Sequence, residues 1–464
     1  METNKNQKRF LLINLKEKNS QQKAPRTIID RLRFIGPSAI VTGSVVGSGS
    51  IVMTPLLGAA AGFTLLWWLL LSIWTKPIIQ AEISRYIVVT KKTFLEAFAE
   101  IPGPKTKING KTTSWLVWFM FLGVLPAIIG MGGLVGAVAE AGTNMFPSIN
   151  IEIWVVLSCL ITWLILVRGS YSILENILLG MVLIFSLITL VIAISIQSTA
   201  YELSAYQVFS GLNFTLPFEY LPLALAVFGF TGISYGEIMA YTYWCLEKGY
   251  AQGDAMDIQE TKNWIHTMQT DVWVTIFFIT IGTLPFFFLG AGVLNTLPQL
   301  QESLATQSFW DVDIIGALQN MFSLVLGDWA KWLFIVLAFF ILYSTLLSGT
   351  AAFTRTISDY LISMGFVYEK ENTRKILIKL IAFLVPFFSG VFYFLLPNPI
   401  TLLLIAGIWA AMGLPIVNIG AIYLSNKLQK ELQPSLFIKS ILWLSLLFQL
   451  SIAVLIVIDI SANF

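Results

Sequence analysis

The sequence is poor in the side chains from which soft-metal sites and disulfide frameworks are built. Of its 464 residues, one is a histidine and two are cysteines. His266 lies in the polar stretch "TKNWIHTMQTD", outside the apolar runs, which excludes it from a site in the middle of a membrane. Cys159 and Cys245 both lie inside apolar runs, so a disulfide framework is not indicated.

Charge is also scarce, since 12% of the residues are charged while 56% are hydrophobic. No soluble domain hides that much apolar surface. Apolar runs of roughly 20 residues recur, which is the length that crosses ~30 Å of hydrocarbon. The runs are solid rather than alternating, which argues against a β-barrel. The sequence therefore predicts an all-α polytopic membrane protein with about eleven transmembrane helices. The predicted spans, numbered 1 to 11, are 34–58, 63–89, 114–142, 151–167, 172–196, 217–245, 271–294, 330–352, 375–396, 400–424 and 437–459.

The distribution of lysine and arginine predicts the orientation of these spans. The N-terminal tail 1–33 is basic, and every second loop after it carries lysine or arginine. The intervening loops, such as "GTNMFPSIN", hold none, apart from Lys331 at the end of a span. We expect a multi-pass protein of the plasma membrane with a cytoplasmic N-terminus and an extracellular C-terminus. The tail is expected to be a solvated anchor at the lipid bilayer rather than a nucleic-acid site.

Two of the predicted spans are interrupted in the same manner. Span 1, "GPSAIVTGSVVGSGSIVMTP", and span 6, "LALAVFGFTGISYGEIMAY", each have a polar, glycine-rich centre between two apolar halves. Four ordinary spans separate them. If spans 1–5 and spans 6–10 are two repeats, the interruptions fall at corresponding positions, in the first span of each repeat. This pattern is typical of an inverted-repeat (5+5) transporter with its site at the midplane. The predicted repeats are 34–197 and 217–424, and span 11 (437–459) is an addition.

An interruption in a membrane helix has a physical cost that calls for a function. It leaves backbone N–H and C=O groups unpaired, and these groups are costly in lipid unless a cavity, protein or ligand satisfies them. Close helix packing through glycine and serine is the alternative explanation. A channel is less favoured, because the sequence has no filter-like loop. We expect a transporter rather than an enzyme, monomeric and without a cofactor, whose partner is a small inorganic ion or solute.

The two interruptions supply the candidate substrate-binding residues. Their hydroxyl and carbonyl groups can bind a hard cation that keeps part of its water, such as Mg²⁺. Hydroxyls together with N–H groups at a half-helix N-terminus can equally hold a small anion. The residues themselves leave the sign of the substrate charge open. The candidates are Gly47, Ser48, Gly49 and Ser50 in span 1, and Thr231, Gly232, Ile233, Ser234, Tyr235 and Glu237 in span 6.

Ionisable residues within spans are costly and are therefore candidates for function. Glu237 follows the span-6 interruption by about one turn, and it either faces the cavity or pairs with a helix end. Glu140, in "GAVAEAG", is either a proton relay or a buried structural group. Span 2 carries Lys76, which needs a partner such as Glu140, and Glu82, which can pair with Arg85 at i,i+3. We take Glu140, Lys76 and Glu82 as candidates for a coupling or proton path, with structural ties or gates as the alternative.

The same stretches resemble the Nramp divalent-metal transporters. "IGPSAIVTGSVVGSGS" is similar to the family's first span, "QAEISRYIVVTKKTFLEAF" to the end of its second, and "GAVAEAG" to its third. "GFTGISY" is similar to its sixth span and "MGLPIVNIGAIYL" to its tenth. The resemblance implies a LeuT-type fold with eleven or twelve spans, and secondary transport that is often proton-coupled.

The family's metal-ligand positions hold different residues in this chain. A thioether and carboxylate set suits manganese or iron, and the set in this chain does not, which indicates a divergent branch. The substrate expected from the resemblance is a divalent or hard hydrated cation, Mg²⁺-like rather than Mn²⁺ or Fe²⁺. A small anion such as bicarbonate, or a carboxylate solute, coupled to Na⁺ or H⁺, and a non-transporting sensor remain alternatives. The family's ligand positions fall on Gly47, Ser50, Ile233, Ser234, Tyr235, Ala137 and Gly413, while its third-span Glu matches Glu140.

Overall fold

The fold is known from a computed structural model, which describes most of the chain. The described residues are 23–47, 49–167, 171–199, 201–250, 258–298, 316, 318–319, 322–323, 327–368, 370 and 372–463. Residues 1–22 of the predicted tail, and Ser48 of span 1, lie outside them.

Helices make up almost all of the described structure. The first half contains α1 (Ile28–Phe34), α2 (Pro37–Val45), a π-helix (Gly49–Met53), α3 (Thr54–Ala61), α4 (Leu66–Thr90), α5 (Phe94–Phe98), α6 (Trp115–Leu122), α7 (Val124–Met145), α8 (Ile151–Leu166) and α9 (Tyr171–Ile196). The second half contains α10 (Ala205–Ser210), α11 (Leu221–Phe230), α12 (Tyr235–Lys248), α13 (Ile258–Gly292), α14 (Trp329–Ser363), α15 (Thr373–Leu395), α16 (Pro399–Asn426) and α17 (Leu436–Asn463).

Each predicted span coincides with one of these helices or with two of them in succession. Among the described residues, seven helices are long and apolar enough to cross a membrane, and the bent pair formed by α2 with Gly49–Ala61 makes an eighth. The number of crossings, eleven, stays a prediction, as do the repeat boundaries 34–197 and 217–424.

The outside of the bundle is apolar, unlike the surface of a soluble protein. Large apolar side chains such as Ile184, Leu187 and Leu444 are exposed on its outside, where lipid takes the place of water. Charged side chains such as Lys76 and Asp271 are completely buried. An apolar outside is expected of helices in a bilayer, because their outward side chains contact hydrocarbon. The helical form is also expected, because only helices and closed barrels satisfy every backbone group in hydrocarbon.

Both predicted interruptions are present in the helices. In span 1, α2 ends at Val45, and the axes of the two helical segments differ by 40°. In span 6, α11 ends at Phe230, Thr231 is extended, and α12 begins at Tyr235 after the N-cap residue Ser234. Gly232 has φ of 75°, a left-handed conformation that glycine adopts without steric cost.

A short β-hairpin between spans 2 and 3 was not predicted. Strand β1 (Lys105–Ile108) pairs antiparallel with β2 (Lys111–Ser114). The turn residues Asn109 and Gly110 both have positive φ. An Asn-Gly pair is the strongest short-range hairpin signal, so the sequence contained the information that would have located this element.

Substitution of Gly232 tests the geometry of the span-6 interruption. We expect Gly232→Ala to destabilise the protein by about 1–3 kcal/mol, because alanine is strained at this φ and its Cβ would lie 3.0 Å from the carbonyl oxygen of Ser72. Thermal unfolding of the purified protein in detergent measures the effect. Gly180→Ala is the control, since a Cβ there meets nothing within 4 Å. Equal unfolding temperatures for the two variants would contradict the described geometry.

Candidate functional site

The interruptions of spans 1 and 6 lie directly against each other. The carbonyl oxygen of Gly49 accepts hydrogen bonds from the hydroxyls of Thr54 (2.8 Å) and Thr231 (3.3 Å). A Cβ on Gly49 would lie 2.8 Å from the carbonyl oxygen of Phe230, so only glycine permits this approach of the two backbones. The predicted pairing of the two interruptions at one place is therefore present.

Span 2 satisfies the carbonyls that are freed where α11 ends. Lys76 is completely buried, and its Nζ donates to the carbonyl oxygens of Thr231 (2.9 Å) and Phe228 and to Ser72 Oγ (2.9 Å). Ser72 Oγ donates to the same two carbonyls, at 2.7 Å and 3.2 Å. The carbonyl acceptors of Lys76 therefore belong to the interruption of span 6, and its hydrogen-bond acceptors do not include Glu140, the partner considered from the sequence.

Spans 7 and 8 satisfy the interruption of span 1. The hydroxyls of Ser344 and Thr345 in span 8 each donate to the carbonyl oxygen of Gly43 at 3.1 Å. In span 7, Thr283 Oγ1 lies 2.8 Å from Ser50 Oγ. A Cβ on Gly47 would overlap the side chain of Thr345. A larger residue at position 47 would therefore collide with span 8 in this structure.

Glu237 joins the interruption of span 6 to span 1. One carboxylate oxygen accepts from the backbone N–H (3.0 Å) and the hydroxyl of Ser234, which completes a capping box at the start of α12. The other oxygen accepts from Ser44 Oγ at 3.2 Å. Both interpretations of Glu237 considered from the sequence apply, because this carboxylate caps a helix and also lines a cavity.

The cavity lies between spans 1, 3, 6, 8 and 10 and has a volume of about 130 Å³. Relative to the two interruptions, the cavity lies toward the first half of span 1 and the second half of span 6, which we call the N-terminal side. On the opposite side of the interruptions, the hydroxyls of Ser50, Thr54 and Thr231 are completely buried. The cavity therefore adjoins the interruptions on the N-terminal side. The polar lining groups are those of Ser44, Ser234, Tyr235, Glu237, Thr345, Thr356, Tyr360 and Trp409.

The predicted site residues divide between the cavity and its surroundings. Gly232, Ser234, Tyr235 and Glu237 line the cavity. The remaining described candidates at the interruptions are buried and form its supporting layer: Gly47, Gly49, Ser50, Thr231 and Ile233.

The candidates for a coupling path are dispersed. Glu82 forms the predicted i,i+3 ion pair with Arg85 at 2.7 Å, and Arg85 also donates to the carbonyl oxygen of Leu432. Glu140 lies near the far end of α7 and is partly buried. Neither Glu82 nor Glu140 is among the residues that line the cavity.

Methionine and aromatic side chains of the cavity were missed from the sequence. Met120, Met131 and Met239 line it, together with the rings of Phe353 and Trp409. They lie in continuous apolar runs, in which the composition does not distinguish a cavity-facing position from a lipid-facing one. These side chains make most of the cavity wall apolar.

The buried carboxylate of Asp271 in span 7 was also missed. It accepts hydrogen bonds from the backbone N–H groups of Gly36 (3.1 Å) and Ser38 (2.9 Å), at the start of α2. The Tyr241 hydroxyl of α12 donates to it at 2.8 Å. A negative charge at a helix N-terminus is stabilising, and this one also joins spans 1, 6 and 7.

The oxygen donors of side chains that line the cavity are the Glu237 carboxylate and several hydroxyls. Among the described residues, no three His, Cys, Asp or Glu side chains come close enough to hold a metal ion together. A metal cation in the cavity would have the Glu237 carboxylate, hydroxyl oxygens and its own water as ligands, which is a set that suits hard cations.

Comparison with known proteins identifies the family. The family model described as natural resistance-associated macrophage protein-like (Nramp) matches residues 38–459. The chain belongs to the Nramp family. No curated protein matches the sequence.

Solved structures show the fold of this Nramp-family chain. It is similar to the Eremococcus coleocola manganese transporter in complex with an aromatic bis-isothiourea compound, with 17% identity, a TM-score of 0.69, and coverage of 96% of this chain and 90% of that one. It is also similar to MhsT in complex with L-phenylalanine, with 16% identity, a TM-score of 0.53, and coverage of 96% and 100%. A Na⁺-coupled sialic acid symporter matches with 14% identity, a TM-score of 0.51, and coverage of 89% and 88%. The LeuT-type fold of a membrane transporter, which was predicted from the sequence, is confirmed.

Asp271 provides a test of the tie between spans 1, 6 and 7. We expect Asp271→Ala to destabilise the protein by about 1–3 kcal/mol, because three donors lose their charged acceptor. Thermal unfolding measures this. Asp328→Ala is the matched control, because Asp328 is exposed and its ion pair with Lys331 is at the surface. A loss no larger than that of the control would show that Asp271 does not hold these spans together.

Proposed function

We propose that the protein is a secondary active transporter that moves a divalent, hard, hydrated metal cation by alternating access. Membership of the Nramp family supports a metal ion as substrate, and the Eremococcus coleocola protein with a similar fold is a manganese transporter. The carrying observation is the Glu237 carboxylate, which lies on the cavity wall at the point where the two interrupted spans meet.

The donor set favours a cation that keeps much of its water. Mg²⁺ demands octahedral oxygen coordination, dehydrates reluctantly and is usually held by one or two carboxylates. Glu237 supplies one carboxylate, and Ser44, Ser234 and Thr345 supply hydroxyls around the same cavity. The volume of about 130 Å³ leaves room for water on the ion. An Mg²⁺-like substrate therefore fits the residues at the interruptions better than iron or manganese.

The methionines of the cavity are the one feature that favours a transition metal, because thioethers are soft ligands. Met239 Sδ is within 3.6 Å of the Tyr360 hydroxyl, which donates to it. Met120 and Met131 lie on span 3, which is not one of the two interrupted spans. Mn²⁺ is therefore the competing substrate that a transport assay has to include.

The small-anion alternative has a specific obstacle. The N-terminus of α12 is the place where a half-helix would attract an anion. In the structure the side chains of Ser234 and Glu237 already satisfy it, since Ser234 Oγ accepts from the N–H of Gly236 (3.2 Å) and Glu237 accepts from that of Ser234. The protein's own carboxylate thus occupies the anion position.

The orientation and the coupling complete the proposal. With the positive-inside orientation, the N-terminal side is cytoplasmic, so the cavity faces inward from the plasma membrane and the C-terminus is extracellular. Transport is proton-coupled, with Glu140 as the candidate relay, while the ion pair with Arg85 makes Glu82 a structural tie. The two repeats, 34–197 and 217–424, move relative to each other around the paired interruptions.

The Glu237→Gln variant separates the charge of this residue from its role as a cap, because glutamine also completes a capping box. We expect the variant to fold and to lose Mg²⁺ uptake in liposomes by about tenfold or more, equivalent to at least ~1.4 kcal/mol of lost interaction. The flux panel contains Mg²⁺, Mn²⁺, Ca²⁺ and bicarbonate, each with and without a pH gradient. Glu219→Gln is the matched control, since Glu219 is exposed and lies outside the cavity.

Each other outcome of this panel contradicts the proposal in a defined way. Bicarbonate flux that survives Glu237→Gln would replace it with the anion carrier. Mn²⁺ uptake at micromolar concentration without Mg²⁺ uptake would reject the argument from hard ligands. Absence of flux for every ion under any gradient would identify a non-transporting sensor.

A further inference from the structure

The ammonium group of Lys76 lies where a coupling cation would be expected in a fold of this kind. In broken-helix transporters, freed carbonyls and half-helix C-termini coordinate the coupling ion. Here, the C-terminal end of α11 presents the carbonyls of Phe228 and Thr231, and Lys76 Nζ donates to both. These acceptors are 152 and 155 residues away along the chain. The contact is thus a product of the tertiary fold.

The coordination of this ammonium is complete. An ammonium has three donors and no acceptor, and Lys76 uses them on three oxygen atoms, those of Phe228, Thr231 and Ser72. The Phe228 ring covers a further side, with its centroid 4.4 Å from Nζ, a favourable position for a cation. Because Lys76 is 0% exposed, the position has no room for a second cation.

The acceptors are uncharged, which separates this arrangement from an ordinary buried ion pair. A buried charge is costly unless its surroundings compensate it. The compensation here comes from carbonyl dipoles at the negative end of a half-helix, from one hydroxyl, and from the electrostatic attraction of the Glu237 carboxylate, which does not form a direct ion pair with Lys76. Oxygen ligands of this type are also what a bare monovalent cation takes in place of its water, and a small cation in the space of the lysine side chain would keep some water beside them.

We propose that the Lys76 ammonium is a tethered cation that fills a monovalent-cation site at the interruption of span 6. In the wild-type protein this site takes no Na⁺, and the fixed charge keeps Phe228 and Thr231 drawn toward span 2. When the lysine side chain is shortened, the site binds a small monovalent cation, Na⁺ or a primary ammonium. This inference concerns the support of the interruption and does not depend on which substrate the cavity binds.

Shortening the side chain to alanine tests the proposal without a transport assay. Wild type and Lys76→Ala are purified, and their thermal unfolding is compared in chloride salts of Na⁺, n-propylammonium and tetramethylammonium at equal ionic strength. We expect the wild type to unfold at one temperature in all three salts. Lys76→Ala should unfold earlier in tetramethylammonium, which is too large and has no N–H, and should be stabilised by Na⁺ or n-propylammonium. Propan-1-ol, the uncharged analogue of the amine, should have no effect.

Two further variants make the test specific. Lys76→Met keeps most of the side-chain volume without the charge, so it should be destabilised and insensitive to every cation. Its backbone amides between residues 229 and 236 should exchange hydrogen about tenfold faster than those of the wild type, because the interruption opens more readily. Lys331→Ala, at an exposed lysine of span 8, is the control and should match the wild type in every salt.

Three results would overturn the inference. The first is stabilisation of the wild type by Na⁺ as large as that of Lys76→Ala, which would show a vacant cation site beside the lysine. The second is a Lys76→Ala protein that responds to neither Na⁺ nor n-propylammonium. The third is a Lys76→Met protein with the stability and amide exchange of the wild type, which would show that the charge does not hold the interruption. Failure of the proposed transport function is a separate outcome. A flux panel without metal transport would not change the expected unfolding temperatures or amide exchange rates.

Discussion

The structure depends on one constraint, namely that an interrupted helix inside a membrane must have its freed backbone groups satisfied. The carbonyl of Gly43 receives two hydroxyls from span 8, and that of Gly49 receives the hydroxyls of Thr54 and Thr231. The carbonyls at the end of α11 receive the ammonium of Lys76 and the hydroxyl of Ser72. At these described carbonyls, the protein itself therefore satisfies the backbone of both interruptions.

Because the protein's own side chains hydrogen-bond to these carbonyls, a substrate can interact only with the groups that remain on the cavity wall. Gly47, Gly49 and Ser50, which occupy or adjoin the family's metal-ligand positions, are packed against spans 6, 7 and 8. The groups that remain accessible lie one turn away, on the Glu237 side of the meeting point. The oxygen groups that line the cavity beside the interruptions are therefore the Glu237 carboxylate and hydroxyls, and these groups are the physical basis for the proposal of a hard cation.

The movement that alternating access requires is constrained by polar ties around α12 on the N-terminal side. Tyr243 donates to Asp359 of span 8, which also pairs with Arg374 of span 9 at 2.8 Å. At the end of α12, Glu247 pairs with Arg355 at 3.2 Å. These contacts connect α12 to α14 directly and to α15 through Asp359, so a movement of α12 relative to these helices has to break them. Asp359 and Arg355 are buried, and a buried charge that loses its partner is costly.

The sequence by itself determined the membrane class, the location of the helical spans, the two interruptions and the Ser234–Glu237 capping box, because these depend on neighbouring residues and on their apolar surroundings. Only the tertiary structure decided that Lys76 meets the carbonyls of span 6 instead of Glu140, that Gly47 leaves no room beside Thr345, and which methionines face the cavity. The contacts of Lys76 with span 6, for example, join residues that are 152 and 155 positions apart in the chain. They are set by the rotation and crossing of whole helices, and in a membrane the uniformly apolar surface of a span carries little record of that rotation.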